Sequence, residues 1–192
     1  MSKINIGKNV FTQTMPVTLI GSKVEGKVNF MALAWVTRVN SNPPLFGVAI
    51  NKVHHSSKGV MENKTFSINF PSEDLLIETD YCGLVSGRKI DKSDIFNVFY
   101  GELETAPMIK ECAVSIECKL LDVIELPTNN LFIGEAVAAY SEEQYLTDNK
   151  LDIKKINPLI LTMPDNNYWK VGDHAGNAWN AGKNFLRNDP LQ

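Results

Sequence analysis

Apolar stretches in this chain are short, and proline and glycine cut them off repeatedly. Val17-Thr18-Leu19-Ile20 lies between Pro16 and Gly21. The longest runs, Phe30 to Val36 and Leu45 to Ile50, are strand-sized, and Ser41-Asn42-Pro43-Pro44 breaks the chain between them. Thr65-Phe66-Ser67-Ile68-Asn69-Phe70 alternates with period two and stops at Pro71. Asn29 to Val39 reads as a long strand, and Glu25-Gly26 before it as a turn. Ala113 to Leu121 reads as another strand. There Cys112, Val114, Ile116 and Cys118 share one face, and Ala113, Ser115, Glu117 and Lys119 share the other. Both cysteines are therefore expected in the core. Leu131 to Tyr140 is apolar on both faces, and Leu159 to Met163 and Tyr168 to Val171 are the last strand candidates. Helices are few and short. One is expected from a Ser56 cap to Asn63, the other over Pro71 to Glu78, with a Ser72 cap and an acidic first turn. About seven short strands with turns between them predict a mainly β, antiparallel barrel rather than βαβ units.

No internal repeat and no change of composition divides the 192 residues. The expectation is one domain over residues 1–192, with a short N-terminal lead and a tail after Phe185. A hydrophobic share of 44% against 21% charged residues argues against disorder. Nineteen Lys plus Arg against 22 Asp plus Glu leave a net charge of −3, which argues against nucleic acid as a partner. A small internal anion site remains compatible with that balance. No apolar run approaches the roughly 18 residues of a membrane span, so no membrane partner is expected. The first residues, Met1 to Asn5, hold no apolar signal core, and an odd number of cysteines suits a reducing compartment. The expected location is the cytoplasm.

Gly21 and Gly26-Lys27 have the spacing of a phosphate-binding P-loop, but Val28 stands where Ser or Thr must reach a magnesium ion. A hairpin turn is the better account. Cys82, Cys112 and Cys118 form no C-x-x-C pair, and His54-His55 are neighbours, so no metal site is expected. Three other segments have chemistry to offer. Asn51-Lys52-Val53-His54-His55-Ser56-Ser57-Lys58 follows a strand and opens a helix, whose free N–H groups and positive end suit a phosphate. A solvated helix start explains the same residues. Ser86-Gly87-Arg88-Lys89-Ile90-Asp91-Lys92 is a small-residue turn carrying cations, which an ordinary surface loop also explains. Ala32 and Ala34 give the strand Asn29 to Thr37 a face of small side chains, where a flat ring can lie close to the backbone; tight core packing produces the same pattern.

Taken in order along the chain, these segments resemble the flavin reductase-like, FMN-binding split-barrel family, and within it the flavoredoxin branch. The resemblance rests on Gly26-Lys27-Val28-Asn29-Phe30-Met31-Ala32-Leu33-Ala34-Trp35, Lys52-Val53-His54-His55-Ser56, Phe66-Ser67-Ile68-Asn69-Phe70-Pro71 and Cys82-Gly83-Leu84-Val85-Ser86-Gly87-Arg88-Lys89-Ile90-Asp91-Lys92. It continues through Glu117-Cys118, Phe132-Ile133-Gly134-Glu135 and Tyr168-Trp169-Lys170-Val171-Gly172. It implies a split barrel that forms a homodimer and binds FMN non-covalently. It further implies that Asn29, Met31, Ala32 and Trp35 line the ring, with Asn51, Lys52, His54 and Ser56 beside it. Ser86, Gly87 and Lys92 are its phosphate or ribityl residues. Ala32 stands where the family commonly has Thr, His55 where it has an aromatic residue, and Ser93 where it has Phe. The implied activity is reduction of flavin, or of an acceptor through FMN, by NADH or NADPH. The alternative is a flavoredoxin-type electron carrier that takes electrons from a redox protein partner. No side chain is nominated as catalytic, since hydride transfer to a flavin demands no protein acid or base.

Overall fold

The computed structural model describes residues 2–183, so the tail expected after Phe185 lies outside the described residues. β1 (Met15–Pro16) leads into β2 (Thr18–Val24) and β3 (Lys27–Leu33). β4 (Val36–Asn40), β5 (Leu45–Asn51), α1 (His55–Asn63) and β6 (Thr65–Phe70) follow, then a 3-10 turn at Glu73–Leu75 and α2 (Leu76–Leu84). β7 (Val98–Phe99) pairs with β8 (Met108–Ile109), and β9 (Val114–Glu125) with β10 (Asn129–Ser141). β11 (Leu146–Thr147), β12 (Lys150–Leu151), α3 (Ile153–Ile156), β13 (Ile160–Thr162) and β14 (Asn167–Trp169) complete the described chain.

A seven-stranded antiparallel sheet, in the order β3-β2-β6-β9-β10-β5-β4, dominates the fold. The β2–β3 hairpin closes on Glu25 and Gly26, with φ of 53° and 80°. Positive φ at both central residues is the type I′ geometry that matches the strands' twist, so the P-loop spacing here is a hairpin. β3 and β4 are consecutive in the chain but stand at opposite ends of the strand order. The strand expected from Asn29 to Val39 is therefore two strands, and Ala34-Trp35 carry the chain from one edge of the sheet to the other. Period-two alternation runs through that crossing, so the pattern alone does not reveal it.

The sheet is buried on both faces along β2, β6 and the first half of β9. Ile20, Met31, Phe66, Ile68, Cys118 and Phe132 pack on one side. Their neighbours Leu19 and Phe30 pack on the other with Cys82, Phe96, Ile109 and Cys112. Phe30 meets Phe96 edge to face, with ring centroids 5.5 Å apart. Burying side chains of this size stabilises by about 2–3 kcal/mol each. Cys112 and Cys118 are both in the core as expected, but not on one face: Cys112 precedes β9 and joins the opposite cluster. Ser115 and Glu117 are also fully buried. Glu117 sits there because its carboxylate accepts hydrogen bonds from the Glu102 N–H (2.9 Å), the Leu103 N–H (2.8 Å) and the Tyr140 hydroxyl (2.8 Å).

Burial pushes the Cys82 thiol up to about 11 and Cys118 up to about 12, and raises Cys112 as well. A group neutral in the fold but ionised when unfolded contributes stability that is full below the unfolded value and is lost as pH rises through the folded one. Stability should accordingly fall above about pH 8.5. Native protein treated with iodoacetamide at pH 8 should carry no adduct by mass spectrometry, while protein in urea should carry three, one for each free thiol.

The helices differ from expectation at their starts. α1 begins at His55 with His54 as its cap residue, and no side chain caps it. Ser56 therefore sits inside the first turn, 2% exposed, rather than before it. α2 begins only after the 3-10 turn and runs past Glu78 to Leu84. None of the helices is long and apolar enough to cross a membrane among the described residues.

Candidate functional site

β3, the start of α1, the end of α2 and the loop after it meet around one cavity of about 120 Å³. It is lined by Asn29, Met31, Ala32, His54, Ser56, Ser86, Gly87 and Lys92, eight of the eleven residues expected from the sequence. A second cavity of about 290 Å³ adjoins it through Ala32, Leu33 and His54, and adds Trp35 and Asn51. A third, about 710 Å³, adjoins it through Asn29, His55, Gly87 and Lys92. Together they form a trough. Lys52 lines none of the three; its Nζ stands 3.7 Å from the Glu125 carboxylate on the surface. A cation between a strand and a helix start looks the same in sequence whichever way it turns.

The centre of the trough is built for a polar ligand. Asn29 is 4% exposed; its Nδ2 donates to Ser56 Oγ at 2.7 Å, and its Oδ1 is buried without a partner. An unpartnered buried acceptor costs roughly 1–3 kcal/mol, so it marks a place where a ligand donor is missing. A Cβ on Gly87 would collide with that Asn29 Oδ1 and crowd the His55 ring, so glycine lets the loop after α2 pack this close to β3 and α1. No side chain caps α1, and of its first-turn N–H groups that of Ser57 donates to the His54 carbonyl (3.3 Å), which leaves those of His55 and Ser56 to receive an acceptor. Burial, together with the Arg88 cation, holds the His55 imidazole below its usual value, so it is neutral at pH 7.

Lys92 is 3% exposed and reaches the trough from below. Its Nζ donates to the carbonyls of Phe30 (2.9 Å) and Cys82 (2.8 Å), which ties α2 to β3 and leaves one ammonium donor for a ligand. Lys92→Met should lower the unfolding free energy by about 2 kcal/mol in urea titrations, because the two carbonyls lose a charged donor while the burial cost of the charge is relieved. Ser86 shapes the loop: its carbonyl accepts from the N–H groups of Lys89 and Ile90, and its Oγ from the Arg88 N–H. Asn51 Oδ1 is taken by the Val53 N–H, so this side chain fixes the turn into α1.

The model of the flavin reductase like domain matches residues 12–161. The chain belongs to the flavin reductase-like family. Flavoredoxin from Methanosarcina acetivorans is 59% identical, with 97% of this chain and 100% of that one covered and a TM-score of 0.95. Flavoredoxin of Desulfovibrio vulgaris is 32% identical over 95% of this chain and 100% of that one, with a TM-score of 0.87. A protein from Shewanella frigidimarina with a split barrel domain, 21% identical over 89% of each chain, has a TM-score of 0.76 and shares the fold. Among curated relatives, an uncharacterised protein of Aeropyrum pernix is 30% identical over 142 residues; the match spans 72% of this chain and 53% of that protein. This flavin reductase-like chain is thus a mainly β split barrel with a few short helices.

Several trough residues of the flavin reductase-like domain escaped the sequence reading. Asn129, Leu161 and Met163 line the cavity beside Trp35. Leu161 and Met163 come from β13 and the residue just beyond it, far along the chain, and nothing in an apolar strand signals that its end borders a site.

Proposed function

We propose that this chain is an FMN-binding redox flavoprotein of the flavoredoxin type, which carries electrons for a redox protein partner. The observation that carries the cofactor reading is the buried, unpartnered Asn29 Oδ1 beside Ser56 in the middle of the trough. The donor set suits the group: hydroxyls at Ser56 and Ser86, uncapped helix N–H groups and the spare Lys92 donor for the phosphate, and an acceptor at Asn29 for a ribityl hydroxyl. Ala32 and Ala34 give the ring a low wall, and Trp35, Leu161 and Met163 line the cavity at its end. Bound FMN supplies the chemistry, accepting and releasing electrons singly or in pairs. The neutral His55 adds no charge to the site at pH 7.

The carrier reading is favoured by the similarity to two flavoredoxins along nearly the whole chain. Membership in the flavin reductase-like family favours a second reading, in which NADH or NADPH reduces the flavin directly. Anaerobic stopped-flow mixing of FMN-loaded protein with each nucleotide separates them. The carrier reading predicts a flavin that stays oxidised with both. Bleaching within seconds would establish the reductase. We also read the protein as a cytoplasmic homodimer with the site near the subunit boundary. Three free buried thiols support the compartment. Ile77, Tyr81 and Leu84 form an exposed apolar stripe on α2, whose end borders the trough, and they support the interface.

A further inference from the structure

His55 stands where the family commonly has an aromatic residue, so the position is titratable in this chain. It opens α1, a helix of nine residues that no side chain caps. Its ring is partly buried and borders both the 120 Å³ cavity and the adjoining 710 Å³ one. A Cβ on Gly87 would stand 3.1 Å from His55 Cδ2 and would also collide with Asn29 Oδ1. Ring, amide and glycine therefore converge on one place. The Asn29 Oδ1, buried and unpartnered, marks that place for a ligand independently of the helix end.

The groups around the ring oppose its protonation while the trough holds no anion. Burial acts against the imidazolium first and Arg88 next, and Lys58 and Lys92 add to them. Glu25, on the β2–β3 hairpin, favours the imidazolium, but its carboxylate is paired with Lys58. Lys27 and Asp91 lie 3.6 Å apart and offset one another, while Lys89 adds a cation from the loop that carries Arg88. A phosphate dianion at the start of α1 reverses this balance. It offsets the surrounding cations, and it accepts a hydrogen bond that is stronger from imidazolium than from neutral imidazole.

We propose that His55 is a proton-linked phosphate contact: it takes up a proton as the FMN phosphate docks at the start of α1, so that FMN affinity gains as pH falls below 7. The inference rests on the reading that FMN occupies the trough. The sign follows from linkage. A group whose charged form is favoured in the complex binds a proton on complex formation, over the range between its free and bound values, and affinity gains as pH falls through that range. An aromatic residue at this position would touch the ligand without any such dependence.

Flavin-fluorescence titrations of wild type and His55→Phe with FMN and riboflavin, at pH 8 and pH 6, test it. The FMN phosphate itself loses charge near about pH 6, so the quantity to read is the ratio of wild-type to His55→Phe affinity at each pH, in which that loss cancels. For FMN the ratio should rise at least about threefold from pH 8 to pH 6, and for riboflavin, which has no phosphate, it should stay level. In proton spectra the His55 imidazole resonance, identified by its absence from His55→Phe, should titrate at higher pH with FMN bound than without, and riboflavin should leave it in place. An FMN ratio that does not change with pH overturns the inference, as does a His55 resonance that FMN does not move. An equal rise for riboflavin also overturns it, since the proton would then answer to the ring. Should FMN fail to bind, the flavin reading falls, and inorganic phosphate decides the role of His55. A resonance that phosphate moves to higher pH supports the contact, and one that it leaves in place overturns it.

Discussion

Asn29→Leu should leave a folded protein whose affinity for FMN is about 50-fold weaker, as read by quenching of flavin fluorescence, with an unchanged far-ultraviolet circular dichroism spectrum. The size follows from what the amide does. Its Nδ2 orients the Ser56 hydroxyl at 2.7 Å, and its Oδ1 is buried without a protein partner. Leucine has nearly the same volume but offers neither group. Losing one ligand hydrogen bond and leaving the ligand's own donor unpaired costs together about 2–3 kcal/mol, close to two decades in affinity. Because Nδ2 also orients the Ser56 hydroxyl, the loss in Asn29→Leu/Ser56→Ala should be smaller than the sum of the two single losses. Fully additive losses would show that the Asn29–Ser56 bond contributes nothing to binding.

Glu117→Ala should be the most destabilising single substitution outside the apolar core, costing about 3–5 kcal/mol in urea unfolding. It strips three donors of one fully buried acceptor: two backbone N–H groups at Glu102 and Leu103, and the Tyr140 hydroxyl. Glu117→Gln should cost less, since its carbonyl serves some of those donors while its NH2 opposes another. The Tyr140 phenol, held up by its bond to Glu117, should return toward its ordinary value in Glu117→Ala. None of Glu102, Leu103, Glu117 and Tyr140 lines the trough, so the folded fraction should retain its flavin affinity.

The strands were legible because period-two alternation and proline punctuation are local: β6 stops before Pro71 and the β2–β3 turn falls on Glu25-Gly26, as read. The crossing at Ala34-Trp35 was not, because whether two successive strands are neighbours or opposite edges depends on pairing with β2 and β5. Glu117 shows the same limit. Its face was assigned correctly, but burial of that face depends on the 99–105 loop folding over it, which no pattern within β9 records. At the site, Asn29, Ser56 and Ser86-Gly87 were legible through the order of three segments, and the structure brings them to one cavity. Lys52 turns away to Glu125, and Lys92 uses most of its donors on backbone. Those outcomes are set by side-chain direction and competing partners, which residue type does not encode.

The central claim is that α1 and the loop after α2 grip one phosphate while β3 carries the ring. Parallel titration of flavin-free protein with FMN and riboflavin tests it most directly. The account predicts saturable quenching at one FMN per chain, with riboflavin bound at least tenfold more weakly, since a charge-assisted hydrogen bond to phosphate is worth about 1.5–3 kcal/mol. Equal affinities, or no saturable quenching with either flavin, would contradict it.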